Sequence, residues 1–103
     1  MHTIFKSNIY LELLNLAECK VSGGEISILC DNLSENQSIK YLYLRNNDLG
    51  EIGAESMARL ILVNKSMIEL DLFNCNINSK GGNKIGTSLK SNFCIEKFSI
   101  GDN

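Results

Sequence analysis

The sequence has few of the residues that most metal and catalytic sites require. Its only histidine is His2, and its four cysteines (Cys19, Cys30, Cys75 and Cys94) form no Cys-x-x-Cys pair. A structural zinc site needs four clustered thiolate or imidazole ligands. Nucleophilic catalysis of the Ser-His or Cys-His type needs a base positioned beside the nucleophile. We therefore expect no metal, no cofactor and no enzymatic activity.

Basic runs and long apolar runs are also missing. The formal net charge is −2 and no stretch is rich in lysine or arginine, which argues against a nucleic-acid partner. Lys6, Asn8, Glu12 and Asn15 interrupt the apolar residues near the N-terminus, so that segment fits neither a signal peptide nor a membrane span. We expect no membrane partner and a cytoplasmic location, where thiols stay reduced.

What the sequence does contain is an internal repeat of 28 residues. Equivalent residues fall into columns with this spacing: Leu11, Ile39, Met67 and Ile95; Leu14, Leu42, Leu70 and Phe98; Leu16, Leu44, Leu72 and Ile100; Asn8, Asn36, Asn64 and Asn92. Several columns in one register do not arise by chance, and a fixed period of this length is the signature of a repeat architecture.

Each unit changes its apolar period halfway along. The first half has apolar residues two apart, which predicts a short strand with one buried face. The second half predicts one face of a helix, formed by Ile26, Leu29, Cys30 and Leu33 and then by Ala54, Met57, Ala58 and Ile61. Ser22 and Glu25 have the spacing of a capping box at a helix start. Asn36, Asn64 and Asn92 are predicted to end the helices in the left-handed conformation.

Glycines recur near the predicted helix starts. Gly53 and Gly81 are one period apart, which suggests that the chain approaches its neighbour closely there. Gly81, Gly82 and Gly86 each lower the helix propensity by up to ~1 kcal/mol relative to alanine. The third helix is therefore predicted to be the least stable.

Tandem strand–helix units predict an α/β solenoid in which parallel strands line the inner side and helices the outer side. The units LELLNLAECKV, YLYLRNNDL, ELDLFNCNI and KFSIGDN resemble leucine-rich repeats. Their length and helical second half resemble the ribonuclease-inhibitor-like class, which includes innate immune receptors, small-GTPase regulators and actin-end cappers. The resemblance implies a right-handed solenoid with a curved parallel sheet, and a role in binding proteins.

Residues 1–103 are predicted to form a single domain of three full repeats between two partial ones. Met1 aligns with the helical half of a unit, Asn8 with the asparagine at a predicted helix end, and Asn103 with the last position of a strand motif. Neither end shows the polar capping segment that a solenoid normally needs. We expect a fragment of a longer array or, alternatively, end-to-end association through the exposed solenoid ends.

A column of Asn and Cys follows the strand motif, formed by Cys19, Asn47, Cys75 and Asn103. In a leucine-rich repeat such a side chain turns inward and hydrogen-bonds backbone groups of the loop. Cysteine can replace asparagine there as a small buried residue. Metal binding or redox chemistry is the alternative, and the repetition of the column favours the structural role.

The residues between the inward leucines are predicted to face the concave surface. The candidate contacts there are Tyr41, Tyr43, Arg45, Asn46, Glu69, Asp71, Phe73 and Asn74. Tyrosine and arginine are enriched among binding hot spots, and the surplus of acidic residues favours a partner of basic or mixed charge. The alternative is that the aromatic residues reflect strand propensity and cross-strand packing alone.

The leading hypothesis is a protein-interaction module that binds a partner protein on this concave face. A regulator of a small GTPase, which rests on resemblance alone, and a structural spacer in a larger sensor or effector protein are the alternatives. Glu69 and Asp71 share the face, but no predicted pocket would raise either pKa. They are therefore interpreted as a solvated acidic edge rather than an acid–base pair.

Overall fold

The computed structural model describes residues 11–103, in which strands and helices alternate. The elements are β1 (Leu13–Asn15), α1 (Gly23–Leu33), β2 (Tyr41–Tyr43), α2 (Gly50–Val63), β3 (Glu69–Asp71), α3 (Ser79–Lys90) and β4 (Lys97–Ser99). The four strands form one parallel sheet in chain order. Each strand pairs with the equivalent residues of the next repeat, as Leu14 does with Leu42. The predicted α/β solenoid is confirmed.

Three expectations concern residues outside the described range. They are the prediction of an incomplete first repeat that places Met1 in a helical half, the prediction of a helix end at Asn8, and the position of His2, all of which precede residue 11.

The core lies between the sheet and the helices. Leu42, Leu44, Leu70 and Leu72 point from the strand segments into it and are fully buried. The residues predicted on the inner faces of the first two helices are buried as well: Ile26, Leu29, Cys30, Leu33, Ala54, Met57, Ala58 and Ile61. The equivalent apolar residues of β1 and β4 are only partly buried because, within residues 11–103, each of these strands pairs with another strand on one side alone.

The predicted capping box at the start of α1 is confirmed. The Ser22 hydroxyl accepts the N–H of Glu25 at 3.4 Å, and the Glu25 carboxylate accepts the N–H of Ser22 at 3.1 Å. At α3 the cap is Asn78, whose side-chain oxygen accepts the N–H of Gly81 at 2.8 Å. A side chain thus satisfies otherwise unpaired donors at both helix starts.

The prediction that asparagines end the helices in the left-handed conformation is wrong. Asn64 has φ −81° and ψ 129°, an extended conformation, and Asn36 and Asn92 also lie outside the left-handed region. All three side chains are buried. Hydrogen bonds explain their position: Asn64 and Asn92 donate to carbonyls of the preceding unit, and Asn36 accepts the N–H groups of Ser38 and Ile39.

Asn64 shows these bonds most completely. Its side-chain nitrogen donates to the carbonyl oxygens of Leu33 at 3.1 Å and Asn36 at 2.9 Å, both in the preceding unit. Its side-chain oxygen accepts the N–H groups of Ser66 at 2.8 Å and Met67 at 2.9 Å. One buried amide therefore satisfies four backbone groups, two of them in another repeat.

Asn92 repeats this arrangement one unit later. Its nitrogen donates to the carbonyl of Ile61 at 2.8 Å, and its oxygen accepts the N–H groups of Cys94 and Ile95. We call this repeated set, formed by Asn36, Asn64 and Asn92, the amide ladder. Through Asn64 and Asn92 it joins the ends of α1 and α2 to the loop of the following unit.

The predicted close approach at Gly53 and Gly81 is confirmed. A Cβ atom on Gly53 would lie 2.6 Å from Cβ of Leu49 and 3.3 Å from Cα of Gly23. A Cβ atom on Gly81 would lie 2.7 Å from Cβ of Ala54. Carbon atoms cannot approach this closely, so any side chain at either position would push neighbouring units apart.

Two glycines of α3 should have opposite effects on stability when each is replaced by alanine. Gly86→Ala should raise the free energy of unfolding by about 0.5–1 kcal/mol, because a Cβ there meets no atom within 4 Å and the flexible glycine is removed. Gly81→Ala, the matched control, should lower it because of the contact with Ala54. Urea denaturation measures both. Changes of the same sign would contradict this account.

Candidate functional site

The predicted contact residues of the strands lie in two rows on one face of the sheet. Tyr41 is in register with Glu69, and Tyr43 with Asp71. Leu42, between the two tyrosines, is fully buried. Alternation therefore places these four side chains on the opposite face, which is open to solvent, and each is partly exposed.

Arg45 and Phe73 lie just beyond the ends of β2 and β3. Backbone pairing continues there, since the N–H of Asn46 donates to the carbonyl of Phe73 at 3.0 Å. The guanidinium carbon of Arg45 is 4.8 Å from the centroid of the Phe73 ring, within the range of a cation–π contact. On the neighbouring unit a Cβ at Gly101 would lie 3.3 Å from two atoms of the ring, so the glycine leaves room for it.

Asp71 holds the guanidinium of Arg45 in place. Nε of Arg45 donates to Oδ2 of Asp71 at 2.7 Å, and Oδ1 of Asp71 accepts the N–H of Phe73 at 3.0 Å. The Asp71 side chain is 14% exposed and that of Arg45 is 47% exposed. Asp71 is thus a fixed support, while the two terminal nitrogens of Arg45 make no hydrogen bond within residues 11–103 and are open to solvent.

Tyr43 and Glu69 form a second linked pair across the two strands. The Tyr43 hydroxyl donates to Oε1 of Glu69 at 3.0 Å. Partial loss of solvation and then the Glu69 carboxylate raise the pKa of Tyr43. Glu69 and Asp71 therefore already accept hydrogen bonds from their own face. This weakens the expectation of a partner with a basic surface, which rested on counting acidic residues.

Asn46 and Asn74 lie in the turns that follow the strands. Their φ angles are 61° and 51°, and Glu18 and Asp102 at equivalent positions each have φ 56°. The strand alternation assumed for this column does not extend so far, because β2 ends at residue 43 and β3 at residue 71. Asparagine tolerates the left-handed region, so the backbone explains its presence. The side chains pair, with Nδ2 of Asn74 donating to Oδ1 of Asn46 at 2.9 Å.

The Asn/Cys column is best seen at Asn47. The side chain is buried, and its nitrogen donates to the carbonyls of Leu16 at 2.8 Å and Leu44 at 2.9 Å. Its oxygen accepts the N–H of Val21 at 2.9 Å. The residue thus joins two consecutive loops, as the amide ladder does on the other side of the unit.

Asn103 makes the equivalent bonds at the last repeat. Its oxygen accepts the N–H groups of Cys75 at 2.7 Å and Ile77 at 3.0 Å, and its nitrogen donates to the carbonyl of Leu72 at 2.8 Å. These bonds again reach into the unit before it.

The two cysteines of the column differ. Cys75 is buried and its thiol donates to the carbonyl of Leu44 at 3.0 Å, and burial raises its pKa. Cys19 is exposed, and its thiol contacts the carbonyl of Ala17 at 3.4 Å. Its inward position was expected but is not what the structure shows.

Among residues 11–103 no three side chains of His, Cys, Asp or Glu are grouped so that they could hold a metal ion. All four thiols are free. None of the helices α1 to α3 has both the length and the apolar character that crossing a membrane requires.

The chain is similar in sequence to proteins that contain leucine-rich repeats. The family model described as Leucine Rich repeat matches residues 35–58 and 63–86. The NACHT, LRR and PYD domains-containing protein 3 of Macaca mulatta is 33% identical over 94 residues, and the protein phosphatase 1 regulatory subunit 37 homolog of Caenorhabditis elegans is 31% identical over 90 residues. The ribonuclease inhibitor of Mus musculus is 27% identical over 94 residues.

The aligned segments cover most of this chain but little of these relatives. They span 90%, 87% and 90% of the chain, and 9%, 10% and 21% of the respective relatives. Among solved structures, that of the leiomodin-1 actin-binding site 2 superposes with a TM-score of 0.88 at 20% identity. The superposition covers 99% of this chain and 61% of the leiomodin-1 chain. At this identity the likeness establishes the fold alone.

Proposed function

This chain is a leucine-rich-repeat protein of the ribonuclease-inhibitor-like class, and on that premise we propose that it is a protein-interaction module whose partner binds the concave face of the sheet. The observation that carries the proposal is the cluster of Arg45, Asp71 and Phe73, in which an exposed guanidinium is held against a ring by a carboxylate. Because these side chains are already ordered, binding costs them little conformational entropy.

The proposed contact surface, which we call the concave patch, is formed by Tyr41, Tyr43, Arg45, Asn46, Glu69, Asp71, Phe73 and Asn74. Within it the terminal nitrogens of Arg45 would donate to acceptors of the partner, and the rings of Tyr43 and Phe73 would supply apolar contact area. Asn46 and Asn74 lie at its edge. We propose a non-enzymatic role, which is supported by the hydrogen bonds that Glu69 and Asp71 make with neighbouring side chains.

The relatives support this role through what their names state. One is a regulatory subunit homolog of a phosphatase, one is an inhibitor of ribonuclease, and the structural neighbour is an actin-binding site. Each name describes a protein that acts on or binds another protein. We also propose a cytoplasmic location, with which four free thiols are compatible. Regulation of a small GTPase, a spacer role and end-to-end self-association stay predictions.

Truncating the two aromatic residues of the concave patch tests the proposal. In the double variant Tyr43→Ser, Phe73→Ser, a partner should bind at least ~30-fold more weakly, since loss of a hot spot costs about 2 kcal/mol or more. Proteins captured from a cell extract by the immobilised wild-type chain, and then purified, would be titrated against both proteins by calorimetry. The far-ultraviolet circular dichroism should stay unchanged.

The matched control is the double variant Ile28→Ser, Ile52→Ser, which removes two exposed apolar side chains of α1 and α2 instead. It should bind the same purified partner as the wild type does. Equal affinity of the concave-patch variant and the wild type would refute the proposal.

A further inference from the structure

Charge is distributed unevenly along the outer, helical side of the solenoid. Residues 21–39, which contain α1, include three acidic residues and no basic one. Residues 72–95, which contain α3, include three lysines and no acidic residue. The chain as a whole has a net charge of −2, so the α3 end is basic against the overall balance.

A groove of about 440 Å³ lies on this basic side between α2 and α3. Its lining residues are Glu55, Ala58, Arg59, Leu62, Asn83, Lys84, Thr87 and Ser88. The Ser88 hydroxyl donates to the carbonyl of Lys84, and the Thr87 hydroxyl to that of Asn83. Both hydroxyl protons are therefore used within α3, and with Ala58 these residues leave the groove largely apolar.

The charged groups beside the groove are predominantly positive. Glu55 is its single acidic lining residue, and its two carboxylate oxygens pair with Arg59 and Lys84, each at 3.4 Å. These three residues together leave one positive charge. Lys90 does not line the groove, but it lies one helical turn after the lining residue Thr87, carries another positive charge and makes no ion pair within residues 11–103.

Exposed apolar side chains mark one end of the groove. Leu62 lines it and is 46% exposed, whereas the next residue, Val63, is 49% exposed and lines the recess between α1 and α2. Phe93 is 91% exposed and directly follows Asn92. The Asn92 side chain donates to the carbonyl of Ile61, so the loop that contains Phe93 is hydrogen-bonded to the helix turn that contains Leu62. Leu62 is thus a half-exposed apolar side chain in the wall of a groove that has basic edges.

We propose that the groove between α2 and α3 binds a short acidic segment of a partner protein, with an apolar side chain of that segment inserted beside Leu62. The basic edges supply the charge complementarity, and the recess accommodates a side chain, which a flat membrane surface could not insert. This site lies on the outer side of the solenoid and is independent of the concave patch.

The test uses a random peptide library displayed on phage and selected on the immobilised chain of 103 residues. We expect the enriched peptides to be rich in aspartate and glutamate and to contain an apolar residue. Synthetic versions should bind about tenfold more weakly to Leu62→Ser and to the double variant Lys84→Gln, Lys90→Gln, and more weakly at high salt. These exposed substitutions should leave the urea unfolding curve nearly unchanged.

Matched controls separate this site from others. Ile28→Ser removes an equally exposed apolar residue from α1, and Lys40→Gln removes a lysine about as exposed as Lys84. Neither should alter binding, and nor should the variant Tyr43→Ser, Phe73→Ser. If that concave-patch variant alone abolished peptide binding, the groove proposal would fall while the proposed function stood.

Two other outcomes would overturn the proposal. One is enrichment of peptides without acidic residues. The other is failure to enrich any peptide together with lysine-dependent binding of the chain to vesicles of anionic phospholipid, which would identify the basic side as a membrane-contact surface instead.

Discussion

Asn64→Ala should lower the free energy of unfolding by about 3 kcal/mol or more, because each buried polar group left without a partner costs about 1–3 kcal/mol. The substitution removes an amide that is fully buried. It leaves the carbonyls of Leu33 and Asn36 and the N–H groups of Ser66 and Met67 without these bonds. Urea denaturation followed by circular dichroism measures the change.

Asn83→Ala is the matched control, since Asn83 is an exposed asparagine of α3. It should change the free energy of unfolding by no more than ~0.5 kcal/mol. Asn64→Asp tests the two halves of the amide separately. It keeps an acceptor for Ser66 and Met67 but removes both donors and buries a charge, so it should destabilise the fold as strongly as alanine does. An Asn64→Ala variant as stable as Asn83→Ala would contradict the role assigned to the amide ladder.

The second large effect is a loss of stability at alkaline pH that originates at Cys30. This thiol of α1 is buried against α2, with its sulfur 3.5 Å from that of Met57. Burial, and to a lesser extent the neighbouring Asp31, raises the pKa of Cys30 from 9.0 to about 12. The native state therefore keeps the proton through a range of pH in which the unfolded chain releases it.

This difference in bound protons sets the direction in which stability changes with pH. Below about pH 9 both states hold the proton and Cys30 has no pH-dependent effect. Above it the unfolded state binds fewer protons than the native state, so the free energy of unfolding falls by about 1.4 kcal/mol per pH unit. The loss would total about 4 kcal/mol by pH 12.

Comparison with Cys30→Ala isolates this contribution from that of the tyrosines and lysines. In urea unfolding, the free energy of unfolding of the wild type should fall relative to that of Cys30→Ala by about 1.4 kcal/mol per pH unit above about pH 9. Cys19→Ala, which removes an exposed thiol, should track the wild type at every pH. If the wild type and Cys30→Ala lost stability in parallel, the buried thiol would not be the origin.

The repeat made the fold predictable because burial recurs at fixed positions. Leu42, Leu70 and their equivalents must face the core, and this alone sets the strand register that the structure shows. The helix faces and the capping box at Ser22 follow from local spacing. These features depend on residues close in sequence or on the period itself.

The polar contacts were harder to predict because they join residues that are distant in sequence. Asn64 was interpreted from its own position as a helix end, whereas its role depends on carbonyls about one unit away. Arg45 and Asp71 are 26 residues apart, and their ion pair depends on both strand register and side-chain rotamers. A run of one polar residue type at a constant interval, buried next to apolar columns, was the available signal for the amide ladder.

The direction of the bonds made by Asn47, Asn64, Asn92 and Asn103 has a consequence for how the protein is synthesised. Each side chain donates to carbonyls of the unit before it, so a repeat is completed by the one that follows. A repeat leaving the ribosome therefore retains unpaired carbonyls until about thirty further residues have emerged. Folding during translation should advance one unit behind the growing end of the chain.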